Sequence, residues 1–248
     1  MNYQSEAEFL KNYDASQFEK PSITSDIIIF SVSSQMGENW RRADKKTFSV
    51  LLVKRAEYPQ MDKWNLPGGF VGMRETSIDA AHRVLTRETG VTDDIYMEQL
   101  YTFDAIDRDP RTRIYAIAYM ALVDKDKLHY AEDRTAKWFD IRLDGDRLIL
   151  TSEDGVRLTE SDLAFDHGEI IKMGIDRMRN KVEYTDIVFS MMPDEFTLGE
   201  LQQVYEAILD KKLLAAAFRR TIASKVIETG NMQTGFGHRP SALFKYRG

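Results

Sequence analysis

The chain has 248 residues, room for one large domain or two smaller ones, and its 43% hydrophobic and 30% charged residues suit a water-soluble globular protein. It contains no cysteine, which excludes disulfides, thiolate metal sites and cysteine nucleophiles. The net charge of −6 is uneven: from Phe196 onward eight Lys and Arg face four Asp and Glu, a net of +4 that leaves −10 on the rest.

The net charge taken alone argues mildly against a nucleic-acid partner, but a basic C-terminal segment behind an acidic body sets that segment apart. The start, MNYQSEAEFLKNYD, is acidic and has no apolar run of the signal-peptide kind. The densest apolar stretch, YAIAYMALV, is too short to cross a bilayer. A cytoplasmic protein with no membrane partner is expected.

In chain order, residues 24–33 and 47–55 are rich in β-branched and apolar side chains and predict strands, with a loop between them. EYPQMDKWNLPGG is a connection punctuated by Pro and Gly. Residues 76–89 predict a helix with Ile78, Ala81 and Leu85 on one inward stripe and Gly90 as its stop. Residues 113–123 predict a buried strand and 136–141 a short one. Strands around a helix suggest an α/β or α+β unit, placed at residues 1–157.

The character then changes, and residues 158–248 are expected to form a second domain. Residues 160–181 look helical. Residues 196–209 carry the strongest helix signals: Thr197 as N-cap with Glu200 three residues on, Phe196 and Leu201 placed as a staple, then Leu201, Val204, Tyr205 and Ile208 on one face. Residues 215–229 predict a third helix with Phe218, Ile222 and Val226 inward and Gly230 ending it. A Gly-rich turn and a short alternating strand, Ala242–Tyr246, follow.

Three helices, a turn and a terminal strand make a winged helix-turn-helix, in which the helix after the tight turn enters the DNA major groove. That helix is expected to present Arg219, Arg220 and Lys225. Lys211 and Lys212 precede it, and His238 and Arg239 lie at the wing. The plain alternative is a solvated basic helical tail.

PGGFVGMRETSIDAAHRVLTRETGV, residues 67–91, carries the chemistry. Positions 84, 87 and 88 are i, i+3 and i+4 and share one helical face. Three carboxylates there would bind Mg²⁺, which would bridge a diphosphate and activate water. Here they are Val84, Arg87 and Glu88, so a divalent cation is not expected to be held. The frame, from Gly69 through Glu75, Arg83, Leu85 and Glu88 to Gly90-Val91, resembles the Nudix box, and LPGG at 66–69 is also typical of that family. The resemblance implies a Nudix-like α/β/α sandwich with a mixed sheet, so the whole chain is expected to be α+β.

Ligand-contact candidates are Gly68, Gly69, Arg74, Arg83, Arg87 and Glu88 in the box, and Arg108 and Arg111 in the Pro-fixed turn DRDPR. Arg83 also reads as a structural ion pair, and DRDPR as a polar loop paired to its own Asp107 and Asp109. Phe103, Tyr101, Tyr58 and Trp64 are flat partners for an adenine or, equally, core residues. His167 reads as a capping or packing residue and His82 as surface, while His129 carries no signal.

The damaged box, the winged helix, and QLYTFDAIDRDPR, LAFDHGEII and FTLGELQQVYEAIL together resemble the NrtR family of Nudix-related transcriptional regulators of NAD metabolism. That resemblance implies a homodimeric repressor of NAD synthesis or salvage genes, bound to palindromic operator DNA and released by ADP-ribose as effector. It implies no cofactor, no metal and no catalytic residue. LLAAAFRR departs from the more polar family pattern ahead of Phe218. The competing reading is a hydrolase of ADP-ribose or a related nucleoside diphosphate with an appended interaction domain. Release from DNA is expected through rotation of the winged helices about a linker near residues 150–160.

Overall fold

The computed structural model describes residues 4–35, 45–92, 95–124, 136–233 and 240–248. After a short helix α1 (Glu6–Asn12), strands β1 (Ser22–Gln35), β2 (Lys45–Lys54), β3 (Trp64–Asn65) and β4 (Gly68–Phe70) lead into helix α2 (Ser77–Thr89). Strands β5 (Met97–Phe103), β6 (Ile114–Leu122), β7 (Ala136–Asp144), β8 (Arg147–Ser152) and β9 (Arg157–Leu158) complete a mixed sheet ordered β5-β6-β1-β2-β7-β8-β9. β1 runs parallel to β6 and antiparallel to β2 and β4.

The run Ile27-Ile28-Ile29-Phe30 shows why the sheet is covered on both sides. Side chains of a strand alternate between faces. Ile27 and Ile29 pack with Ala81, Val84 and Leu85 of α2. Ile28 and Phe30 belong to the opposite core, which includes Ile170, Ile171, Ile175 and Met178. All four are fully buried, each worth roughly 1.5–3 kcal/mol of transfer free energy. The result is the expected α/β/α sandwich.

The second covering layer is helix α3 (His167–Tyr184), which approaches so closely that a Cβ at Gly174 would sit 2.4 Å from Ile28 Cδ1. This corrects two expectations. The helical stretch begins at His167, after a single 3-10 turn at 160–162, rather than at residue 160. It also belongs to the sheet's core, so a boundary at 157/158 would cut through the sandwich. Residues 150–158 lie in the β8–β9 hairpin, with Leu150 paired to Leu158, so most of the expected hinge at 150–160 falls inside the sheet.

The C-terminal unit contains α4 (Leu198–Leu209), α5 (Ala215–Ile222) and the hairpin β10 (Val226–Gln233)–β11 (Ser241–Tyr246). The capping box of α4 forms as expected: Glu200 N donates to Thr197 Oγ1 at 3.1 Å and Thr197 N to Glu200 Oε2 at 2.8 Å. Phe196 and Leu201 are both buried. The third helix is shorter than expected. It ends at Ile222, and residues 226–233 are a strand paired with β11. Val226 is buried four residues after Ile222, so its burial fits a helix or a strand, and the β-branched Val226-Ile227 pair favours the strand. Gly230, at φ +82°, supplies the irregularity between Glu228 and Met232 instead of a helix stop.

Candidate functional site: a cationic cavity and a basic recognition helix

Thr76 opens α2 with a capping box, its hydroxyl accepting from Asp79 N at 3.2 Å while Asp79 caps Thr76 N at 2.9 Å. Gly90, at φ 71°, closes the helix. Within the expected stripe, Ala81 and Leu85 are inward but Ile78 is exposed, and Ala80, Val84, Glu88 and Thr89 are also buried.

Gly68 lies against Asp26, where a Cβ would come within 2.3 Å of Asp26 Oδ1, so the backbone approach requires glycine. Leu66 N donates to His167 Nδ1 at 2.9 Å, fixing the loop ahead of Gly68 to the start of α3. Burial lowers the His167 pKa to about 3, so Nδ1 stays an acceptor at neutral pH. His167 is thus a packing and hydrogen-bonding residue, as expected.

Two of the three positions expected to carry carboxylates, 84 and 87, hold valine and arginine. Val84 is fully buried in the apolar cluster beneath α2. Arg87 Nε donates to Glu88 Oε1 at 2.8 Å and its Nη2 to the Gly68 carbonyl at 3.1 Å. Glu75 is held by Arg83, at 2.6 and 3.1 Å, and by Gly72 N. The hydrogen bonds from Arg83 and Gly72 keep the Glu75 carboxyl below its ordinary range. Among the described residues no three His, Asp or Glu side chains gather to hold an ion. These residues do not fit a Nudix Mg²⁺ site.

Gly68, Arg87 and Glu88 line a cavity of about 510 Å³ with residues 53–57 at the end of β2, Asn65 and Pro67. Two cations there, Lys54 and Arg55, were missed. The sequence signal was a Lys-Arg pair closing an apolar strand. Arg55 is stacked 4.9 Å from the Phe165 ring, and Arg111 lies 5.9 Å from the same ring and 5.4 Å from that of Phe70. Burial, then the charge of Arg111, lowers the Arg55 pKa. Phe165 was also missed, because it sits in the left-handed region at φ 53°, which spacing does not reveal.

The other expected contacts are placed differently. Arg108 is a corrected assignment. Its side chain is 4% exposed, bound to Asp166 at 2.5 and 2.8 Å and 3.8 Å from Asp26, so it is a structural cation. Burial opposes its charge, and Asp166 and Asp26 raise its pKa despite that. Arg83 makes the ion pair with Glu75 and also donates to the Phe70 carbonyl. Phe103 is buried in the main core, as is Trp64, which corrects Phe103 as a ligand contact. Tyr58 and Tyr101 are exposed. A Cβ at Gly69 would lie 3.5 Å from Val84 Cγ2, Arg74 is exposed, and Arg111 is engaged by Asp109 while keeping an exposed edge.

In the C-terminal unit, α5 buries Phe218 and Ile222 and exposes Arg219 and Arg220. Phe218 packs edge-on to Tyr205 of α4 at 5.2 Å. Lys225 is not on this helix. It precedes β10, which corrects its expected place on the helix, and its ammonium lies 2.7 Å from Asp186. Lys211 reaches Glu183 at 3.3 Å and Lys212 reaches Glu206 at 2.6 Å, both from exposed positions. His238 and Arg239 lie outside the described residues. No helix among the described residues is long and apolar enough to cross a membrane.

Comparisons with known proteins agree with this arrangement. Residues 40–143 match the NUDIX domain, and residues 188–246 match the NrtR DNA-binding winged helix domain. The chain is 34% identical over 253 residues to an ADPR-responsive transcriptional repressor of Acinetobacter baylyi, covering 99% of this chain and 90% of that protein. A MutT/nudix family protein from Enterococcus faecalis superposes with a TM-score of 0.77 at 28% identity, covering 98% of this chain and 94% of that one. Shewanella oneidensis NrtR complexed with a 27mer DNA superposes with a TM-score of 0.68 at 28% identity, covering 91% and 93%. A Nudix sandwich with a basic winged helix built onto its second covering helix, and a full-length repressor relative, together place the chain in the NrtR family of transcriptional regulators.

Proposed function

We propose that the chain is a DNA-binding repressor whose Nudix domain senses ADP-ribose, or a closely related nucleoside diphosphate, without cleaving it. One observation carries the reading. The helix face that would present three carboxylates presents one, and Arg87 covers it at the wall of the cavity. An arginine fork pairs with phosphate oxygens directly and replaces charge that a metal would otherwise supply. Arg87 and Arg55 are the cations for the diphosphate, Arg111 lies near Arg55 on the same Phe165 ring, and the Gly68 backbone forms the floor. Tyr58, exposed beside Glu57 at the cavity rim, is the candidate flat partner for the base.

DNA is taken by α5 through Arg219 and Arg220, with Lys211 and Lys212 on the phosphate backbone. Two copies related by a two-fold axis present two such helices to a palindromic operator. Coupling to the sensor runs through α3. The core around its inward residues includes both the sheet and the winged helix, and Arg179 donates to the Ile208 carbonyl of α4 at 3.1 Å. ADP-ribose shifts DNA occupancy only by its difference in affinity for the two arrangements. We place the domain boundary after α3, near residues 185–187.

A mobility-shift titration with ADP-ribose, run once with Mg²⁺ and once with EDTA, tests the reading. Release of DNA in both, with ADP-ribose recovered intact, is expected. Production of AMP and ribose 5-phosphate in the Mg²⁺ arm would support the hydrolase reading instead.

A further inference from the structure

The leading turn of α5 has an unusual chemistry for a surface that meets DNA. Leu214, at the N-cap, is 81% exposed and makes no side-chain cap, and Ala215, Ala216 and Ala217 follow, all exposed. Four successive positions therefore offer no side-chain donor or acceptor. Phe218 and Ile222 fix the inward face. Ala216 and Arg220, one turn apart, lie on the opposite side, with Ala217 beside them.

In a helix-turn-helix the N-terminal residues of the recognition helix reach the base edges. An apolar first turn can read only one feature of the major groove, the C5-methyl of thymine, while an arginine pairs bidentately with guanine O6 and N7. We infer that Ala216 and Ala217 select thymine by methyl contact beside a guanine read by Arg220, so that each operator half-site holds a G with adjacent T methyls. The inference rests on the DNA-binding reading above and adds the base class that this chain's own helix selects.

The full chain is used to enrich duplexes from a random library, and the enriched duplex is remade with single thymines replaced by uracil, which lacks only the methyl. One or two thymines per half-site are expected to weaken binding about fourfold each, the effect of one methyl-sized apolar contact. Ala216→Ser with Ala217→Ser, both exposed, is expected to keep the wild-type melting temperature and bring the thymine-to-uracil ratio close to one. Enrichment with no uracil-sensitive thymine, or sensitivity unchanged in the double variant, overturns the methyl readout while leaving DNA binding intact. Failure to enrich any duplex overturns the DNA-binding reading itself.

Discussion

The Lys225 ammonium lies 2.7 Å from Asp186 Oδ1, and the Tyr246 hydroxyl donates to Asp186 Oδ2 at 3.0 Å. One carboxylate thus holds the start of β10 and the end of β11 against the turn that follows α3. The hydrogen bond from Lys225 keeps the Asp186 pKa below its ordinary value. Tyr246 also stacks on Phe189 at 4.2 Å, so the wing's last strand is pinned at the junction of the two units.

This geometry separates two basic residues that look alike in sequence. Lys225→Met is expected to leave the salt dependence of DNA binding unchanged, because its charge is used internally. Arg219→Ala is expected to lower the slope of log K against log salt by about 1 if it meets a phosphate. Binding isotherms across a salt series decide between them, and a reduced slope in Lys225→Met would return Lys225 to the DNA surface.

Arg55 and Arg83 are expected to fail in different ways. Arg55→Lys keeps a charge in the cavity but loses the fork, and ADP-ribose affinity should fall roughly tenfold with little change in melting temperature. Arg83→Ala removes the bonds to Glu75 and the Phe70 carbonyl and should lower the melting temperature more than the affinity. Calorimetry and thermal melting on both variants suffice. Equal affinity losses would put Arg83 in the ligand site.

Much of this was legible in the sequence for local reasons. The Thr197–Glu200 capping box, the β1 apolar run and the Gly90 stop each depend on a few neighbouring residues, and each forms as expected. The misses depend on distant partners. β5 and β8 were not anticipated as strands, since β5 is only partly buried and gains its place by pairing with β6. Arg108 read as a phosphate ligand because its buried partners, Asp26 and Asp166, are far away in sequence. Arg55 and Phe165 meet across more than a hundred residues, and no local pattern announces a cation resting on that ring.

Restoring the lost box residue at position 84 should harm folding before it restores chemistry. Val84 is fully buried among Ile27, Ile29, Leu51 and Leu85. Val84→Glu places a carboxyl in that cluster, and a loss of about 3 kcal/mol or more is expected, a fall of roughly 6–12 °C in melting temperature. A variant as stable as the wild type would mean that this face of α2 opens to solvent.

Asp26 and His167, 3.9 Å apart beneath the cavity, should act on stability in opposite directions as pH falls. Burial raises the Asp26 pKa to about 6 against the attraction of Arg108. The folded protein therefore holds that proton where the unfolded chain does not, and acidification through the window from about 6 down to the ordinary value of 3.8 favours folding. Burial lowers the His167 pKa from 6.5 to about 3, so in that window the unfolded chain binds the proton instead, and acidification disfavours folding. Between pH 6 and 4 the two contributions offset each other. Asp26→Asn removes the first and leaves the second, so its stability should fall more steeply than the wild type's as pH drops from 6 to 4. Urea unfolding at half-unit steps measures the difference, and parallel curves for the two proteins would show that Asp26 titrates in the folded state much as it does in the unfolded chain.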